Sequence, residues 1–392
     1  MQWLEKYIAT AEKILSAYDG SMPLQHYLKN YFSQNKKHGS RDRKTITHLC
    51  YTYFRAGKAL TALSFRERLL AALYLCENDP GKWKSLFSKE FVDNHSPVLE
   101  ERIKFIANIY PGFSVKNIFP FEDEMSFAGE SFARSFLVQP KTFLRIRPGR
   151  SKTVTDALTR ASIPFEHEGG AIALKSAVNI AGILKLNADA VVQDSSSQKT
   201  GDFLLPLKQE NICSVWDCCA ASGGKSILAF DVLKPIRLTV SDVRPSIIHN
   251  LKKRLREARV PVEKMFKGDL TKPVDPGCKF ELIICDVPCT GSGTWARTPE
   301  QLYFFNREKI DVYASLQKSI VQHVLPHLAE DGYLLYSTCS VFIKENEDAV
   351  RFIQQAFPFM ELIQQQSIRG YHQRADTLFA ALLKKRKINF YY

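Results

Sequence analysis

The sequence has no run of about 18 apolar residues, the length a bilayer-crossing helix needs, so a membrane-spanning chain is excluded. Its start, MQWLEKYIATAEKILSAY, carries charges throughout and lacks the apolar stretch of a signal peptide. No CxxC pair and no His/Cys cluster stands at ligand spacing, which argues against zinc or any other bound metal. Histidine is scarce around the motifs described below, so a Cys–His protease arrangement has little support. Nine cysteines, an odd number scattered over 392 residues, form no disulfide framework, and a reducing cytoplasm is the expected home. Repeats and low-complexity linkers are also missing. What is present is globular composition, with 45% hydrophobic and 24% charged residues. Lys and Arg outnumber Asp and Glu by 54 to 41, and a net charge of +13 suits a polyanionic partner without proving one.

The length predicts two or three domains. Residues 1–125 read as helical: Leu4, Ile8, Ala11 and Leu15 recur at helical spacing, and Asp19-Gly20 is a stop. A basic loop from Lys36 to Lys44 precedes Ile46, Leu49, Cys50 and Tyr53, again at helical spacing. Over 126–190 the texture changes. Thr142–Arg147 alternates apolar and basic residues, as a half-exposed strand would. A short helix at Thr153–Ala161 and a strand at Ala171–Leu174 follow, giving a small α+β subdomain. Over 191–392 strand and helix alternate. Ile212–Trp216, Arg237–Ser241, Met265–Phe266, Phe280–Cys285 and Tyr333–Ser337 are short apolar runs, with helical stretches such as Lys225–Leu233 and Tyr313–Leu328 between them. This predicts an α/β domain with a parallel sheet, helices on both faces, and ligands at the carboxyl ends of the strands.

The chemistry-bearing residues follow those strands. After the first comes Asp217-Cys218-Cys219-Ala220-Ala221-Ser222-Gly223-Gly224-Lys225. Its small residues let a backbone approach a ligand closely, and it opens a helix. It is neither the GxGxxG nor the GxxxxGK[ST] pattern, and a tight strand-to-helix turn is the plainer reading. Asp242 ends the second strand and can accept both hydroxyls of a ribose, although a lone Asp there is more often a helix cap. Asp269, after the third strand, has the same two readings. The fourth ends in Asp286-Val287-Pro288-Cys289, and the fifth leads into Ser337-Thr338-Cys339-Ser340, followed by Glu345-Asn346-Glu347. Four acidic strand ends and two cysteines therefore converge on one sheet edge. Pro288 fixes the backbone before Cys289, which favours a placed thiol. Cys50, Cys76, Cys213, Cys278 and Cys285 read as small core filler.

DCCAASGGK, DVPCTGSGTWARTPE and YSTCSVFIKENE resemble motifs of the Nol/Nop/Sun family of RNA cytosine-5 methyltransferases. Gln193-Asp194-Ser195-Ser196-Ser197-Gln198 resembles the element that opens that family's catalytic domain, and Asp376–Leu382 resembles its closing strand. The likeness covers about 190 to 386. The amino-terminal block, with Ser40-Arg41-Asp42-Arg43 and then Tyr51 and Arg55, looks like the NusB-like domain of the family's bacterial 16S ribosomal RNA enzymes. Pro140–Arg147 looks like their small RNA-contacting subdomain. The resemblance implies a Rossmann-like methyltransferase domain behind an all-α NusB-like domain and an α+β subdomain. Two departures stand out. Ser222 replaces the family's usual proline, which is expected to loosen the loop and lower cofactor affinity. Thr377 and Leu378 stand where Gly and Phe are usual.

The resemblance further implies methylation of C5 of a cytosine with S-adenosylmethionine as cofactor. Cys339 would be the nucleophile, Cys289 would help release product, and Asp286 would hold a proton near N3. Cys219, Ala220, Ala221, Ser222, Gly223, Gly224 and Lys225 would hold the cofactor's methionine and ribose side, Asp242 its ribose hydroxyls, and Asp269 its adenine side. Asp286 would also touch it. A free thiol titrates near ~8.5, so the nucleophile needs activation. A helix beginning near Glu345 and the cofactor's positive charge are the expected sources. Lys36–Lys44, Arg145, Arg147 and Lys384–Lys387 would meet phosphates, although a charge run is as often a solvated face. A cytoplasmic monomer acting on ribosomal RNA is the expectation. The same chemistry on transfer RNA, and a non-enzymatic RNA scaffold, are the competing readings.

Overall fold

Leu4, Ile8, Ala11 and Leu15 are buried along one stripe of helix α1 (Gln2–Ser16), as their spacing requires. The computed structural model describes residues 2–387 apart from residue 177. Two units make up the chain: residues 1–139 with 294–306, and residues 140–293 with 307–392.

The first unit is helical. After α1 come α2 (Leu24–Gln34), α3 (Ser40–Arg55), α4 (Phe65–Cys76), α5 (Lys89–Asp93), α6 (Leu99–Ile109) and α7 (Glu130–Ser135). Helix α4 starts where Ser64 and Glu67 form a reciprocal capping box. Leu28 and Phe32 of α2, Ile46, Leu49, Cys50 and Phe54 of α3, and Leu69 and Leu73 of α4 share one core with α1. Phe119 packs edge-on against Phe132, so α7 stays with the helices, and the unit runs to Gln139 rather than ending at 125. Arg55 is buried here. Its Nη1 donates to the carbonyls of Phe136 at 2.9 Å and Ala296 at 3.2 Å, so it pins chain segments together. Segment 294–306 completes the unit, with Trp295 and Leu302 fully buried.

The second unit holds two sheets. Strands β1 (Thr142–Ile146), β2 (Phe165–Glu168), β3 (Ala171–Leu174) and β4 (Ala190–Val192) form an antiparallel sheet in the order β2-β3-β1-β4, with α8 (Ser151–Arg160) between β1 and β2. Strand β1 is central and both its faces are covered. Arg145 and Arg147 are therefore buried, not half-exposed: Arg145 Nη1 donates to Asp231 Oδ2 at 2.6 Å and Arg147 Nε to Asp231 Oδ1 at 2.8 Å.

The larger sheet contains β5 (Ser214–Asp217), β6 (Arg237–Asp242), β7 (Lys264–Lys267), β8 (Phe280–Asp286), β9 (Leu328–Thr338), β10 (Met360–Arg369) and β11 (Thr377–Lys385), in the order β10-β11-β9-β8-β5-β6-β7. Strands β5 to β9 pair in parallel, as expected, whereas β11 runs antiparallel to both β9 and β10. The turn Gly370–Gln373 is too short for a crossover, so β10 and β11 can only form a hairpin. After the short α9 (Ser195–Lys199), helices α10 (Gly224–Leu233), α11 (Pro245–Glu257), α13 (Lys309–Val324) and α14 (Glu347–Ala356) follow individual strands; α12 (Pro299–Phe304) belongs to the first unit. Val215, Leu238, Ile284 and Leu335 pack with α10 and α11, while Trp216, Ile283, Leu334 and Tyr336 pack with α13 and α14. Alternate residues thus face opposite layers, and helices cover both faces. Among the described residues no helix is long and apolar enough to cross a membrane.

Candidate active site

Strand β5 lies between β6 and β8, so the direction of winding reverses there and opens a crevice at the carboxyl ends. Asp217, Asp242 and Asp286 are the last residues of β5, β6 and β8. Across the β5/β8 gap Lys225 Nζ meets Asp286 Oδ2 at 2.7 Å, and Ser337 Oγ donates to the other Asp286 oxygen at 2.8 Å.

The loops after β8 and β9 bring Cys289 and Cys339 together, sulfur to sulfur at 3.3 Å. A buried carboxylate holds these loops. Glu345 Oε1 accepts from the Thr290 hydroxyl and the Ser340 hydroxyl, each at 2.6 Å. Its Oε2 accepts from the Thr290 amide at 2.8 Å and from Gln317 Nε2 at 3.0 Å. Gln317 also donates to the Pro288 carbonyl at 3.0 Å, so the Pro-Cys turn is tied to α13. Asn346 accepts from the Thr338 hydroxyl at 2.5 Å and donates to the Ser340 carbonyl at 3.0 Å, bracketing Cys339. Gly293 donates to the Cys339 carbonyl at 2.9 Å, and a Cβ there would lie 1.9 Å from the Thr377 carbonyl oxygen, so only glycine fits. Burial raises the Glu345 carboxyl, against the hydrogen bonds it accepts. The Cys289 thiol is pushed up by its contact with Cys339, by burial and by the nearby charges of Cys339 and Glu345. The helix expected near Glu345 begins at Glu347. Glu345 itself stands beside the Cys289 thiol and contributes to raising it.

The loop 217–225 is shaped by its backbone. Ala220 N donates to the Ser241 carbonyl at 2.9 Å, and Ala221 N to Asp242 Oδ2 at 3.1 Å. Ala221 and Gly223 take positive φ values of 45° and 80°. A Cβ on Gly223 would lie 2.6 Å from Leu251, so α11 packs directly against this turn. Ser222 is not loose. Its carbonyl and hydroxyl accept from Arg254 Nη1 at 3.0 and 2.6 Å. Asp242 is buried and accepts from the Arg244 amide at 2.9 Å and from its guanidinium at 3.0 and 3.1 Å. Burial opposes its charge, but the Arg244 bonds and the Ala221 amide hold the carboxyl below its ordinary value. Asp217 is fully buried; Ser226 donates to its Oδ2 at 2.5 Å, while Oδ1 has no partner among the described residues. Burial pushes this carboxyl up to about 7. Asp269 is exposed in a turn closed by the Thr271 hydroxyl and amide, whose bonds lower its carboxyl. Among the described residues no group of three or more His, Cys, Asp or Glu could hold a metal.

Residues 203–384 match the family model for the 16S rRNA methyltransferases RsmB/F. This part of the chain is similar to the RsmB/F methyltransferase domain. Ribosomal RNA small subunit methyltransferase B of Proteus mirabilis is 28% identical over 229 residues, which is 56% of this chain and 52% of that protein. The chain therefore spans about half the length of that curated relative. Among solved structures, PH0851 is 17% identical with a TM-score of 0.70 and 97% of each chain covered. A methyltransferase homolog from Pyrococcus horikoshii is 18% identical with a TM-score of 0.57, covering 71% of this chain and 97% of its own. These two share the fold.

The larger sheet brings Cys289, Cys339, Asp286 and Lys225 to the crevice at the β5/β8 gap, next to the loop carrying Cys219, Ala220, Ala221, Ser222, Gly223 and Gly224. Asp269 lies beyond the end of β7, turned to its own hydroxyl and amide donors. Sequence reasoning assigned no role to Asp217, Arg244, Gln317, Glu345 and Asn346. Glu345 and Asn346 stood in the Thr-Cys motif and Asp217 opened the cofactor motif, so a signal existed; Gln317 sits mid-helix with none. Cys50 and Cys285 are buried as expected, whereas Cys213 and Cys278 are exposed. Of the run Lys384–Lys387, Lys385, Arg386 and Lys387 pair with Glu330, Glu361 and Asp331, while the Lys384 ammonium lies over the Tyr333 ring. Lys36, Lys37, Arg41, Arg43 and Lys44 are exposed.

Proposed function

We propose that this chain methylates C5 of a cytosine in RNA, with 16S ribosomal RNA as substrate and S-adenosylmethionine as methyl donor. The observation that carries the proposal is the 3.3 Å pairing of a Pro-Cys thiol with a Thr-Cys thiol beside Asp286. C5 of cytosine is a poor nucleophile. Cys339, as thiolate, forms a bond to C6; the C5–C6 electron pair moves toward N3, which gains a proton that Asp286 would hold in place there. C5 then carries the density to accept an electrophile. The cofactor supplies a methyl group on a positively charged sulfur, which keeps the pair of the broken S–CH3 bond. A base removes the C5 proton, N3 gives up the proton it gained, C5=C6 reforms and the Cys339 sulfur leaves with the electron pair of its bond to C6. Cys289, in contact with the Cys339 sulfur, assists that departure.

The residues present fit the cofactor. Asp217 Oδ1 is a buried acceptor without a partner among the described residues, and the Asp242 carboxylate stands at the end of β6 beside the positive-φ loop. Asp242 would hold the ribose hydroxyls by exchanging some of its bonds to Arg244, and loop 219–225 the methionine side. Asp269 would border the adenine. The target base must leave its stack to reach two thiols in a crevice. The helical unit would hold RNA through Lys36, Lys37, Arg41, Arg43 and Lys44. We place the protein in the cytoplasm as a monomer, since a reducing compartment keeps two thiols in contact from pairing.

The test is transfer of labelled methyl to total RNA, followed by mapping of the modified base. Label at C5 of a cytosine in 16S RNA supports the proposal. Label only in transfer RNA overturns the substrate. No label with purified RNA or with assembling subunits overturns the activity.

A further inference from the structure

Between Cys219 and Gly224 the loop offers no long side chain of its own to hold its shape. Yet Ala221 sits at φ 45° and Gly223 at φ 80°, and an alanine keeps such a conformation only where its surroundings enforce it. The first half of the loop is enforced by the Ala220 and Ala221 amides on Ser241 and Asp242. The second half is enforced by Arg254 of α11. Its Nη1 donates to both the Ser222 carbonyl and the Ser222 hydroxyl, at 3.0 and 2.6 Å. Its Nε donates to Asn187 Oδ1 at 2.8 Å and its Nη2 to the Val192 carbonyl at 3.2 Å. One planar fork therefore ties the turn to α11 and to the segment through β4. A lysine, with a single ammonium, cannot make these bonds at once.

We infer that Arg254 is a positioning residue for the methyl donor. Through Ser222 it holds the loop in its ligand-ready shape, a task that a ring-constrained residue at 222 would perform through the backbone. Ser222 is therefore one half of a pair, and its hydroxyl matters because Arg254 is there. The inference rests on the proposed function, since the loop's ligand is the proposed donor.

The test is titration of S-adenosylhomocysteine, the unreactive product, into the full chain by calorimetry, well below each variant's melting temperature. Arg254→Met should raise Kd tenfold or more, and Arg254→Lys by an intermediate factor. Ser222→Ala should raise it a few-fold, because the carbonyl still accepts from Arg254. Combining Ser222→Ala with Arg254→Met should be no worse than Arg254→Met alone. If Arg254→Met does not fold, Arg254→Lys with and without Ser222→Ala gives the same comparison. A bond that only stabilised the fold would lower the melting temperature and leave Kd within twofold, and that result overturns the inference. Effects that multiply in the double variant overturn it as well. If the unaltered chain fails to bind S-adenosylhomocysteine, the proposed function falls, and the inference with it. If it binds and the variants bind equally, only the inference falls.

Discussion

The sulfurs of Cys289 and Cys339 lie 3.3 Å apart although 50 residues separate them in sequence. The proximity comes from β8 and β9 being adjacent parallel strands whose ends are level, with Asp286 opposite Ser337. Each thiol then sits just past its strand. Two thiols at this distance can serve one ring from the same side of the crevice, which gives the roles proposed for them a direct test.

Cys339→Ser should abolish both methylation and any covalent RNA adduct, because a hydroxyl is far less ionised than a thiol at neutral pH. Cys289→Ser should still attack and methylate, then stall, so that an adduct surviving denaturing electrophoresis accumulates when the methyl donor is present. The double variant should form none. The reverse pattern, with adduct in Cys339→Ser and none in Cys289→Ser, would make the Pro-Cys thiol the nucleophile.

Glu345→Ala leaves the Thr290 amide and hydroxyl, the Ser340 hydroxyl and the Gln317 amide without their acceptor. A buried donor left unsatisfied costs roughly 1–3 kcal/mol, so the unfolding free energy should fall by about 3 kcal/mol or more. Glu345→Gln retains one acceptor and should lose less. Because Glu345 holds the cysteine loops and not the loop at 219–225, the adduct-forming rate should drop while the affinity for S-adenosylhomocysteine holds. Parallel loss of both in the folded variant would remove Glu345 from this role.

The Asp217 carboxyl, raised from 3.8 to about 7, binds its proton more tightly in the folded chain than in the unfolded one. Its contribution to stability is therefore fully present below about pH 4 and is lost as the pH rises through about 7. Asp217→Asn mimics the protonated form and carries no such dependence. Between these limits the unaltered protein should lose roughly 4 kcal/mol at most relative to the variant, at about 1.4 kcal/mol per unit. Denaturant unfolding of both proteins at about pH 5 and about pH 8 measures the change. A gap that does not move with pH would show that Asp217 does not titrate in this window.

Neutralising Lys36, Lys37, Arg41, Arg43 and Lys44 to Gln should weaken RNA binding and flatten its salt dependence. Each lost phosphate contact should reduce the slope of log K against log salt by about 0.7 for single-stranded RNA. Changing Lys385, Arg386 and Lys387 should leave the slope alone, since each pairs with a neighbouring carboxylate. Equal effects from the two sets would mean that the helical unit is not the site of phosphate contact.

Much of the site is legible in sequence because strand ends carry it. Buried parallel strands are short apolar runs, and the residues at their carboxyl ends directly follow them, so the positions of Asp242, Asp286, Cys289 and Cys339 at one sheet edge could be read off in order. Strand β10 was not legible, because Ile363, Gln364, Gln365 and Gln366 are exposed on a sheet edge and show no alternation. Arg145 and Arg147 read as surface charge, since nothing near them in sequence announces that Asp231 would meet both. Ser222 read as a loosened turn for the same reason: its partner Arg254 is 32 residues away.

By itself, the sequence determined the alternation of parallel strands and helices, the residues that follow those strand ends, and the likeness of residues 203–384 to the RsmB/F enzymes. Those properties are local, set by periodicity, turn chemistry and short motifs. The tertiary structure decided which polar groups are buried and what satisfies them: Glu345 between the cysteine loops, Arg55 and Arg145 among their acceptors, Segment 294–306 within the helical unit. A buried polar group must find a partner wherever packing puts one, and packing brings together residues that no local pattern relates.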